Sequence, residues 1–459
     1  MKVTNKTLQI LIIYLLLTII SGCTPSVEPE KQRIADEMEQ SLKTELLDVF
    51  YPLSIDTVYG GFLSDFTFDW QPGFPQNKMI VTQARHIWTT SNAAMFFKDD
   101  KYQKITEHGF HFIRDKMWDN TYGGFYMIRN REGNPIGQAS GNSKTAYGNA
   151  FAIYALASYF KLSGDSSALE LARQTFLWLE QYSHDSEYGG YFNNLTREGK
   201  LRERDNEELA RFDQAGPDWK DQNSSIHLLE AFTELYKAWP DSLLHQRLQE
   251  MLGIIRDTIV REKGYLTLFL ERDWTPISYR DSSDAIRKAH FNMDHVSFGH
   301  DIETAYLMLE ASDALKLESD QKTLTIAKKM VDHSLSTGWD EEKGGLYNEG
   351  YYFKDSESIS VIDKAKVWWV QAETLNSLLL MSKLFPEENK YYQAFLKQWE
   401  YMKTYLIDHE YGGWYYNGLD NNPEMTKANK TSDWKVNYHD SRSLMNCIEM
   451  LMGKERGKE

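Results

Sequence analysis

Cysteine and positive charge are what this 459-residue sequence most conspicuously lacks. It has only two cysteines, Cys23 and Cys447, so chemical modification of Cys23 leaves no possible intramolecular disulfide, and a packed core must hold the fold. Lysine and arginine total 51 against 67 acidic residues, which gives a formal net charge of -16. This charge argues against a nucleic-acid partner and against a basic surface that lies on lipid headgroups.

Long apolar runs are also scarce, and the most prominent one lies at the N-terminus. Lys2 and Lys6 precede the apolar residues 10–20, a core that is too short to span a bilayer comfortably. Ser21-Gly22-Cys23 follows and resembles the bacterial lipobox, in which cleavage leaves a lipid-modified cysteine. An ordinary secretory peptide with an incidental cysteine is the alternative.

This leader sets the expected boundaries of the mature protein. We predict a signal peptide over residues 1–22, lipidation at Cys23, and an extended linker over residues 23–33 that carries two prolines. The protein would then be an exported bacterial lipoprotein that faces the periplasm or the cell surface. Its membrane contact would be limited to the N-terminal lipid anchor.

A glycine turn flanked by aromatic residues recurs along the rest of the chain, at intervals of about 70 residues. The six copies are at Gly60-Gly61, Gly123-Gly124, Gly189-Gly190, Gly264, Gly344-Gly345 and Gly412-Gly413. Between turns lie two helical patterns, as in residues 147–159, which are apolar nearly all round, and residues 168–182, which have one apolar stripe. This contrast is expected between an inner and an outer helix.

Six units of two helices predict an all-α fold of about twelve helices. We expect them to close into an (α/α)6 barrel over residues 34–453, with short hairpins at the loop ends and a charged tail at residues 454–459. An open solenoid of helix pairs is the alternative. Closure is favoured because one face of every apolar helix would meet water in an open stack.

The segment 297–310 is the strongest candidate for a functional site. Serine and glycine precede an apolar pattern at helical spacing, which predicts a turn that enters a buried helix. His300 and Glu303 lie three residues apart in its first turn and share one face, where the carboxylate can hold or polarise the imidazole. A capping histidine beside a solvated glutamate is the alternative.

Two further charged positions lie in apolar helices. His227 and Glu230 repeat the same spacing, which raises metal binding as a rival interpretation. The chain has no His-Glu-x-x-His motif and no further acidic cluster at ligand spacing, so we predict no metal. Arg85 needs an anionic partner, either a buried carboxylate or a substrate oxyanion, and a structural salt bridge is favoured on the residues alone.

Other candidates sit where inner helices are expected to begin. Tyr147 can donate to a sugar hydroxyl or to the backbone. Trp368 and Trp369 are adjacent, about 100° apart on a helix, so at most one faces the cavity. His439 has the same helix-entry position as His300, and closure of the ring would let these two histidines face each other across the axis.

Five segments taken together resemble the signature of the N-acylglucosamine 2-epimerase superfamily, and within it most closely the cellobiose 2-epimerase branch. The resemblance runs over residues 34–452, and His227 is what favours the disaccharide branch. The segments are Arg85 with Ile87-Trp88, Asn223 with His227 and Glu230, residues 299–303, residues 368–373, and Trp434-Lys435 with Tyr438-His439.

The resemblance implies an isomerase that inverts C2 of the reducing-end sugar of a disaccharide through an enediolate, without a cofactor. It implies that His300 and His439 are the acid/base pair and that Glu303 orients His300. Arg85 and His227 would hold the oxygens on C1 and C2. Contacts to the sugar are expected from Tyr147, Asn223, Trp368, Trp369, Trp414 and Trp434.

Three features depart from the family pattern. Residues 280–294, which contain His290, appear inserted between His227 and His300, and with His295 they should lie near the mouth of the pocket. Export is unusual for enzymes associated with cytoplasmic sugar metabolism, and Thr89-Thr90 stands where bulkier residues are common. A uronyl hydrolase, an aldose–ketose isomerase and a sugar-binding lipoprotein are the competing functions, and the first would use paired carboxylates.

Overall fold

Twelve long helices dominate the computed structural model, which describes residues 28–137, 142–202, 218–354 and 356–453. In chain order, they are α1 Pro29–Ser41, α2 Ile80–Phe97, α3 Asp100–Phe112, α4 Ala146–Ser163, α5 Ser166–Tyr182, α6 Gln222–Ala238, α7 Ser242–Ile254, α8 Phe298–Ala314, α9 Gln321–Thr337, α10 Trp368–Leu384, α11 Lys390–Tyr405 and α12 His439–Leu451. The predicted signal peptide, Cys23 and the charged tail lie outside the described residues.

The even-numbered helices form a closed inner ring. Each contacts the next in the order α2, α4, α6, α8, α10, α12, and α12 contacts α2 again. Each odd-numbered helix packs outside the ring. Among the described residues, the first long helix, α1, packs against the outside of the last one, α12. The predicted (α/α)6 barrel is confirmed, and the solenoid alternative is excluded by the contact between α12 and α2.

The two kinds of helix differ in burial as their sequences indicate. Residues 146–159 of α4 are all buried, whereas α5 buries a single stripe that includes Leu171 and Phe176. The Thr145 hydroxyl accepts from Gly148 N at the start of α4, and Gly164 ends the helix in the left-handed region with φ 69°. These local signals set where an inner helix begins and ends.

Short strands and shorter helices join the long ones. The strands are β1 Lys78–Met79, β2 Ile128–Arg129, β3 Lys144–Thr145, β4 Asn194–Leu195, β5 Lys220–Asp221, β6 Phe269–Leu270, β7 Val296–Ser297, β8 Glu349–Tyr351 and β9 Ser360–Asp363. Short helices are Asp48–Leu53, Asp284–Ala289, Phe291–Asp294 and the 3-10 turn Pro423–Lys427, with π-helical turns at Leu42–Leu47, Ile113–Met117 and Ile255–Ile259. All strand pairs are antiparallel: β1 with β2, β3 with β4, β5 with β6, and β8 with both β7 and β9.

The glycine turns are tight hairpins at the ends of the outer helices. Gly123 and Gly124 have φ of 70° and 72°, a backbone region that glycine adopts without strain. The ring of Trp178 also comes so close that a side-chain carbon on Gly124 would lie 2.8 Å from it. Conformation and space therefore both require glycine at this turn.

Helix α1 begins at Pro29, ahead of the boundary at residue 34 that we predicted for the barrel. Pro29 occupies the first turn and Glu30 adds an acidic residue there, both of which favour a helix start. The predicted linker over residues 23–33 is therefore wrong for its last residues.

The segment 280–294, which we predicted to be an insertion, contains the two short helices Asp284–Ala289 and Phe291–Asp294, between β6 and β7. It thus precedes α8, which carries His300. Among the described residues, no helix is both long enough and apolar enough to cross a membrane.

Candidate functional site

A cavity of about 270 Å³ lies where the inner helices begin. Four predicted site residues line it: Tyr147, Asn223, His300 and Trp434. A larger, open cavity of about 430 Å³ lies beside the last hairpin, at Asn417. Its lining includes no histidine, no carboxylate and no cationic side chain, so the first cavity is the candidate active site.

His300 enters this cavity from the first turn of α8. Its Nδ1 lies 2.8 Å from the Ser297 hydroxyl, and its ring centroid lies 4.7 Å from that of Trp369. Burial, together with His227, His295 and His439 nearby, lowers the pKa of His300 to about 3. The imidazole is therefore a neutral base at pH 7.

Glu303 does not hold His300, so that prediction is wrong. Its Oε1 accepts a hydrogen bond from Arg442 Nη2 at 2.5 Å, and no hydrogen bond joins it to His300. The physical reason is charge, because a buried carboxylate gains more from a guanidinium than from a neutral imidazole. Burial and the neighbouring Glu373 raise the pKa of Glu303 to about 7.

Arg442 of α12 holds three buried carboxylates from three other inner helices. Its Nη2 also donates to Glu373 Oε1 at 2.7 Å, and its Nη1 donates to Glu230 and to the Tyr438 hydroxyl. Burial opposes ionisation of Glu230, but Arg442 and His227 outweigh it and lower the pKa of Glu230 to about 2. This cluster joins α6, α8, α10 and α12 beneath the cavity.

Two of these carboxylates orient histidines. His439 Nδ1 lies 2.6 Å from Glu373 Oε1, and His227 Nδ1 lies 2.8 Å from Glu230 Oε2. A carboxylate accepts, so each Nδ1 carries the proton and each Nε2 is left free for chemistry. Burial and the charge of Arg85 keep the pKa of His439 well below its ordinary value.

The two expected acid/base histidines share one neighbour. Their helices, α8 and α12, are separated only by α10, whose Trp369 contacts both imidazoles. The centroid of Trp369 lies 4.7 Å from that of His300 and 5.8 Å from that of His439. Both imidazoles therefore border one small region of the site.

Arg85 has no carboxylate partner among the described residues, so the structural salt bridge favoured from the sequence is not found there. It is 5% exposed, and it donates to Trp434 O at 2.9 Å and to the Tyr147 hydroxyl at 3.3 Å. Its Nε has no partner, and its guanidinium lies 4.7 Å from the ring centroid of Phe151. A buried cation held only by neutral groups is suited to an anion that forms in the cavity.

Two of the predicted sugar contacts are instead core residues. Trp414 is fully buried in the last glycine hairpin, where its backbone oxygen accepts from Lys435 Nζ at 2.8 Å. Trp368 is buried against Tyr416, with ring centroids 4.6 Å apart, so it packs sideways while Trp369 contacts the histidines. Both tryptophans lie in aromatic-rich motifs, and such motifs fill protein cores as readily as they line binding sites.

Sequence reasoning missed Arg442, Glu373 and Gln222 as site residues. Arg442 carried a usable signal, because it is an arginine in the first turn of a predicted inner helix, directly before an apolar stretch. Glu373 lay within a quoted motif, but its partner His439 is 66 residues away. Nothing in the local pattern singles out Gln222, which lines the cavity at the start of α6.

Glu303, Glu373 and His439 bring three potential metal-ligand atoms within 4.8 Å of one another. The guanidinium of Arg442 already bonds both carboxylates, at 2.5 and 2.7 Å. A metal ion at this point would have to displace it, so the donor set is that of an ion-pair cluster.

The segment 280–294, which we predicted to be an insertion, contributes Asn292 to the cavity, and His295 directly after it also lines the cavity. His290 is not among the lining residues and stacks on Tyr279 with ring centroids 4.2 Å apart.

Comparison with known proteins shows what this architecture is similar to. The profile of the N-acylglucosamine 2-epimerase (GlcNAc 2-epimerase) family matches residues 61–443. A cellobiose 2-epimerase of Ruminococcus albus is 31% identical over 415 residues, which cover 90% of this chain and 97% of that protein. A cellobiose 2-epimerase of Bacteroides fragilis is 27% identical over 425 residues, covering 91% and 98%. The solved cellobiose 2-epimerase from Spirochaeta thermophila superposes with a TM-score of 0.78 at 28% identity, covering 94% of this chain and 99% of that one.

Proposed function

The chain belongs to the N-acylglucosamine 2-epimerase family and is a carbohydrate 2-epimerase, and we propose that it inverts C2 of the reducing-end sugar of a disaccharide of the cellobiose type. The disaccharide is inferred from relatives that are named for cellobiose and that match this chain over nearly their whole length.

The observation that carries the proposal is the buried cation of Arg85, which has no carboxylate partner in the part of the chain that the structure describes and lies near the neutral imidazole of His439. Removing the proton on C2 of an open-chain aldose moves the electron pair of that C–H bond into a C1–C2 double bond, and negative charge develops on the C1 oxygen. Arg85 is buried and has no carboxylate partner among the described residues, so its charge is available to that oxygen. A buried donor of this kind stabilises the enediolate more than the neutral substrate.

His300 and His439 are assigned to the proton transfers. One imidazole takes the proton from one face of C2, and the other takes up a proton from solvent and delivers it to the opposite face, which inverts the centre. The first imidazole then releases its proton to solvent. His227 is held by Glu230 and contacts Tyr147 with ring centroids 5.2 Å apart, which suits it to hold a sugar oxygen.

Incubation with cellobiose in deuterated water tests the proposal. We expect a glucosyl-mannose product with deuterium at C2, because the imidazoles exchange protons with solvent. A ketose product would identify an aldose–ketose isomerase, release of two monosaccharides would identify a hydrolase, and unchanged sugar would indicate a binding protein. Parallel reactions with mannobiose and N-acetylglucosamine compare the other sugars of the family's range.

Variants connect the reaction to the assigned residues. We expect Arg85→Met to lower kcat/KM by about 100-fold or more, as the loss of an oxyanion donor does elsewhere. Arg173→Met is the matched control, because Arg173 is an exposed arginine paired with Glu170, and it should retain full activity. Undiminished epimer from His439→Ala would reject the assignment of that histidine.

We also propose that Cys23 carries a lipid and anchors the enzyme outside the cytoplasm. The support is the charged start, the short apolar core and the lipobox-like Ser21-Gly22-Cys23. Expression in a bacterial host with radiolabelled palmitate should label the wild-type protein and the Cys447→Ser variant but not Cys23→Ser. Label in all three proteins, or in none, would contradict the anchor.

A further inference from the structure

One wall of the cavity carries polar side chains that have no role in the epimerisation scheme. Gln222 is 4% exposed and lines the cavity, and its Oε1 has no hydrogen-bond partner among the described residues. A buried acceptor without a donor is destabilising, so a ligand that brings a donor to this wall would gain a hydrogen bond. Sugar hydroxyls are such donors.

The insertion brings two more polar side chains to the same cavity. Asn292 lies in the short helix Phe291–Asp294, and His295 immediately precedes β7. His295 Nδ1 donates to Phe291 O at 3.0 Å, while its Nε2 lies 3.6 Å from Glu349 Oε1, beyond hydrogen-bond distance. The Nε2 edge therefore retains capacity for a hydroxyl.

The insertion is a fixed part of the wall. Asp294 Oδ2 accepts from Ser278 Oγ at 2.8 Å, from Tyr279 N at 2.6 Å and from the Tyr351 hydroxyl at 3.1 Å. The buried Arg287 donates to Arg280 O at 2.6 Å. These contacts tie the inserted helices to one another and to β8, so Asn292 and His295 are held in place before any ligand binds.

The same cavity also has an aromatic surface. Trp434 lines it together with Tyr147, and their ring centroids lie 6.3 Å apart. Trp434 is 38% exposed, so its indole is accessible to a ligand. An aromatic face together with hydroxyl-binding groups in one cavity makes a site for a pyranose ring.

We propose that Gln222, Asn292 and His295 form a subsite for the non-reducing sugar of the substrate, so that the insertion selects disaccharides over monosaccharides. This inference rests on the proposed function, because it takes the reducing-end sugar to lie between His300 and His439. The three residues act on specificity and touch no reacting atom.

Binding measurements test the subsite without depending on the chemistry. Isothermal titration of the wild-type protein, Gln222→Met and His295→Ala with cellobiose and with glucose compares one sugar with two. We expect each substitution to weaken cellobiose binding by about 5- to 20-fold, which is the loss of one or two hydrogen bonds, and to change glucose binding by less than about twofold. Kinetics should show the same effect in KM for cellobiose, with kcat nearly unchanged.

Controls separate the subsite from the fold and from the proposed function. Ile286→Ala lies on the insertion and is 48% exposed, so it should bind both sugars as the wild type does. Asn292→Ala changes an exposed residue and provides a variant that folds if Gln222→Met does not. Equal losses for cellobiose and glucose, or no loss for cellobiose, would overturn the subsite. Tight cellobiose binding without epimer would instead overturn the proposed function and leave the subsite standing.

Discussion

The imidazoles at the active centre are neutral because of where they lie. Burial and three neighbouring histidines lower the pKa of His300 to about 3, and burial with Arg85 lowers the pKa of His439 well below its ordinary value. A neutral imidazole can accept the C2 proton throughout the physiological range, whereas a solvent-exposed histidine would be partly protonated near pH 6.5.

This predicts an unusual pH profile. The base works when neutral, so activity is present above its pKa and is lost as pH falls through it. We therefore expect the acidic limb of kcat/KM to lie below about pH 5 rather than near ~6.5. The measurement is the initial rate of epimer formation from pH 4 to pH 9, with circular dichroism to show that the protein stays folded.

Glu303 provides the control for this profile, since its pKa is raised to about 7. Protonation of Glu303 weakens its pairing with Arg442, so a limb near pH 7 that disappears in Glu303→Gln belongs to this carboxylate. A limb near pH 6.5 that persists in Glu303→Gln would contradict the lowered pKa values of the histidines.

At the residue scale, the sequence predicts which residues reach the cavity better than it predicts which side chains bond to each other. Tyr147, Asn223, His300 and Trp434 reach the cavity because each lies in the first turn of an inner helix or just before it. The contact between Arg442 and Glu303 joins residues 139 positions apart, and only ring closure determines it. The i, i+3 spacing correctly pairs His227 with Glu230, but it fails for His300 because Arg442 binds Glu303 instead.

At the scale of elements, five of the six glycine hairpins are each held by an ion pair with a buried lysine, which we call a lysine clip. The lysine binds an aspartate at the start of the hairpin, with Nζ–Oδ2 distances of 2.8 to 3.0 Å in four of the pairs. The pairs are Lys78–Asp56, Lys144–Asp119, Lys220–Asp185, Lys366–Asp340 and Lys430–Asp408. In the fourth unit, Val296 replaces the lysine and Arg261 replaces the aspartate, so both partners are absent together.

Loss of one partner should therefore cost more than loss of both. Lys78 and Asp56 are almost fully buried, so Lys78→Met leaves a buried carboxylate with only Arg131 as a charged partner. We expect a loss of about 3 kcal/mol in the free energy of unfolding, measured by urea denaturation, and a partial recovery in Lys78→Met/Asp56→Asn.

The exposed pair Lys101–Asp48 is the matched control. Its side chains are 46% and 42% exposed, so Lys101→Met should cost less than about 1 kcal/mol. Similar losses in Lys78→Met and Lys101→Met would show that burial does not set the strength of the clip.

Glycine turns and inner helices could be predicted because local chemistry determines them. A positive φ at Gly123 demands glycine, and an unbroken apolar run such as α4 can only be buried. The clips were not predicted, because each lysine lies about 20 to 35 residues from its aspartate in a pattern that becomes visible only once the hairpins are aligned.

For the whole molecule, the critical contact joins the first and the last long helix of the described residues. Helix α1 packs on α12, which carries both His439 and Arg442, and α12 closes the ring against α2. Glu37 of α1 also accepts from Trp399 Nε1 at 3.1 Å and from Lys403 Nζ at 2.9 Å on α11. The first helix therefore supports the element on which the site depends.

Truncating a buried side chain on the inner face of α1 should lower the stability of the whole barrel. Met38 is fully buried, so Met38→Ala removes apolar contacts and leaves a cavity that typically costs 2–5 kcal/mol. We expect a lower Tm and an earlier midpoint in urea, with one cooperative transition because the ring cannot close in part. Activity per folded molecule at 25 °C should stay within about twofold, since no site residue is changed. Glu39→Ala changes an exposed residue of the same helix and should match the wild type in both measurements. A separate early transition in Met38→Ala, with the remaining barrel still active, would show that α1 is dispensable for closure.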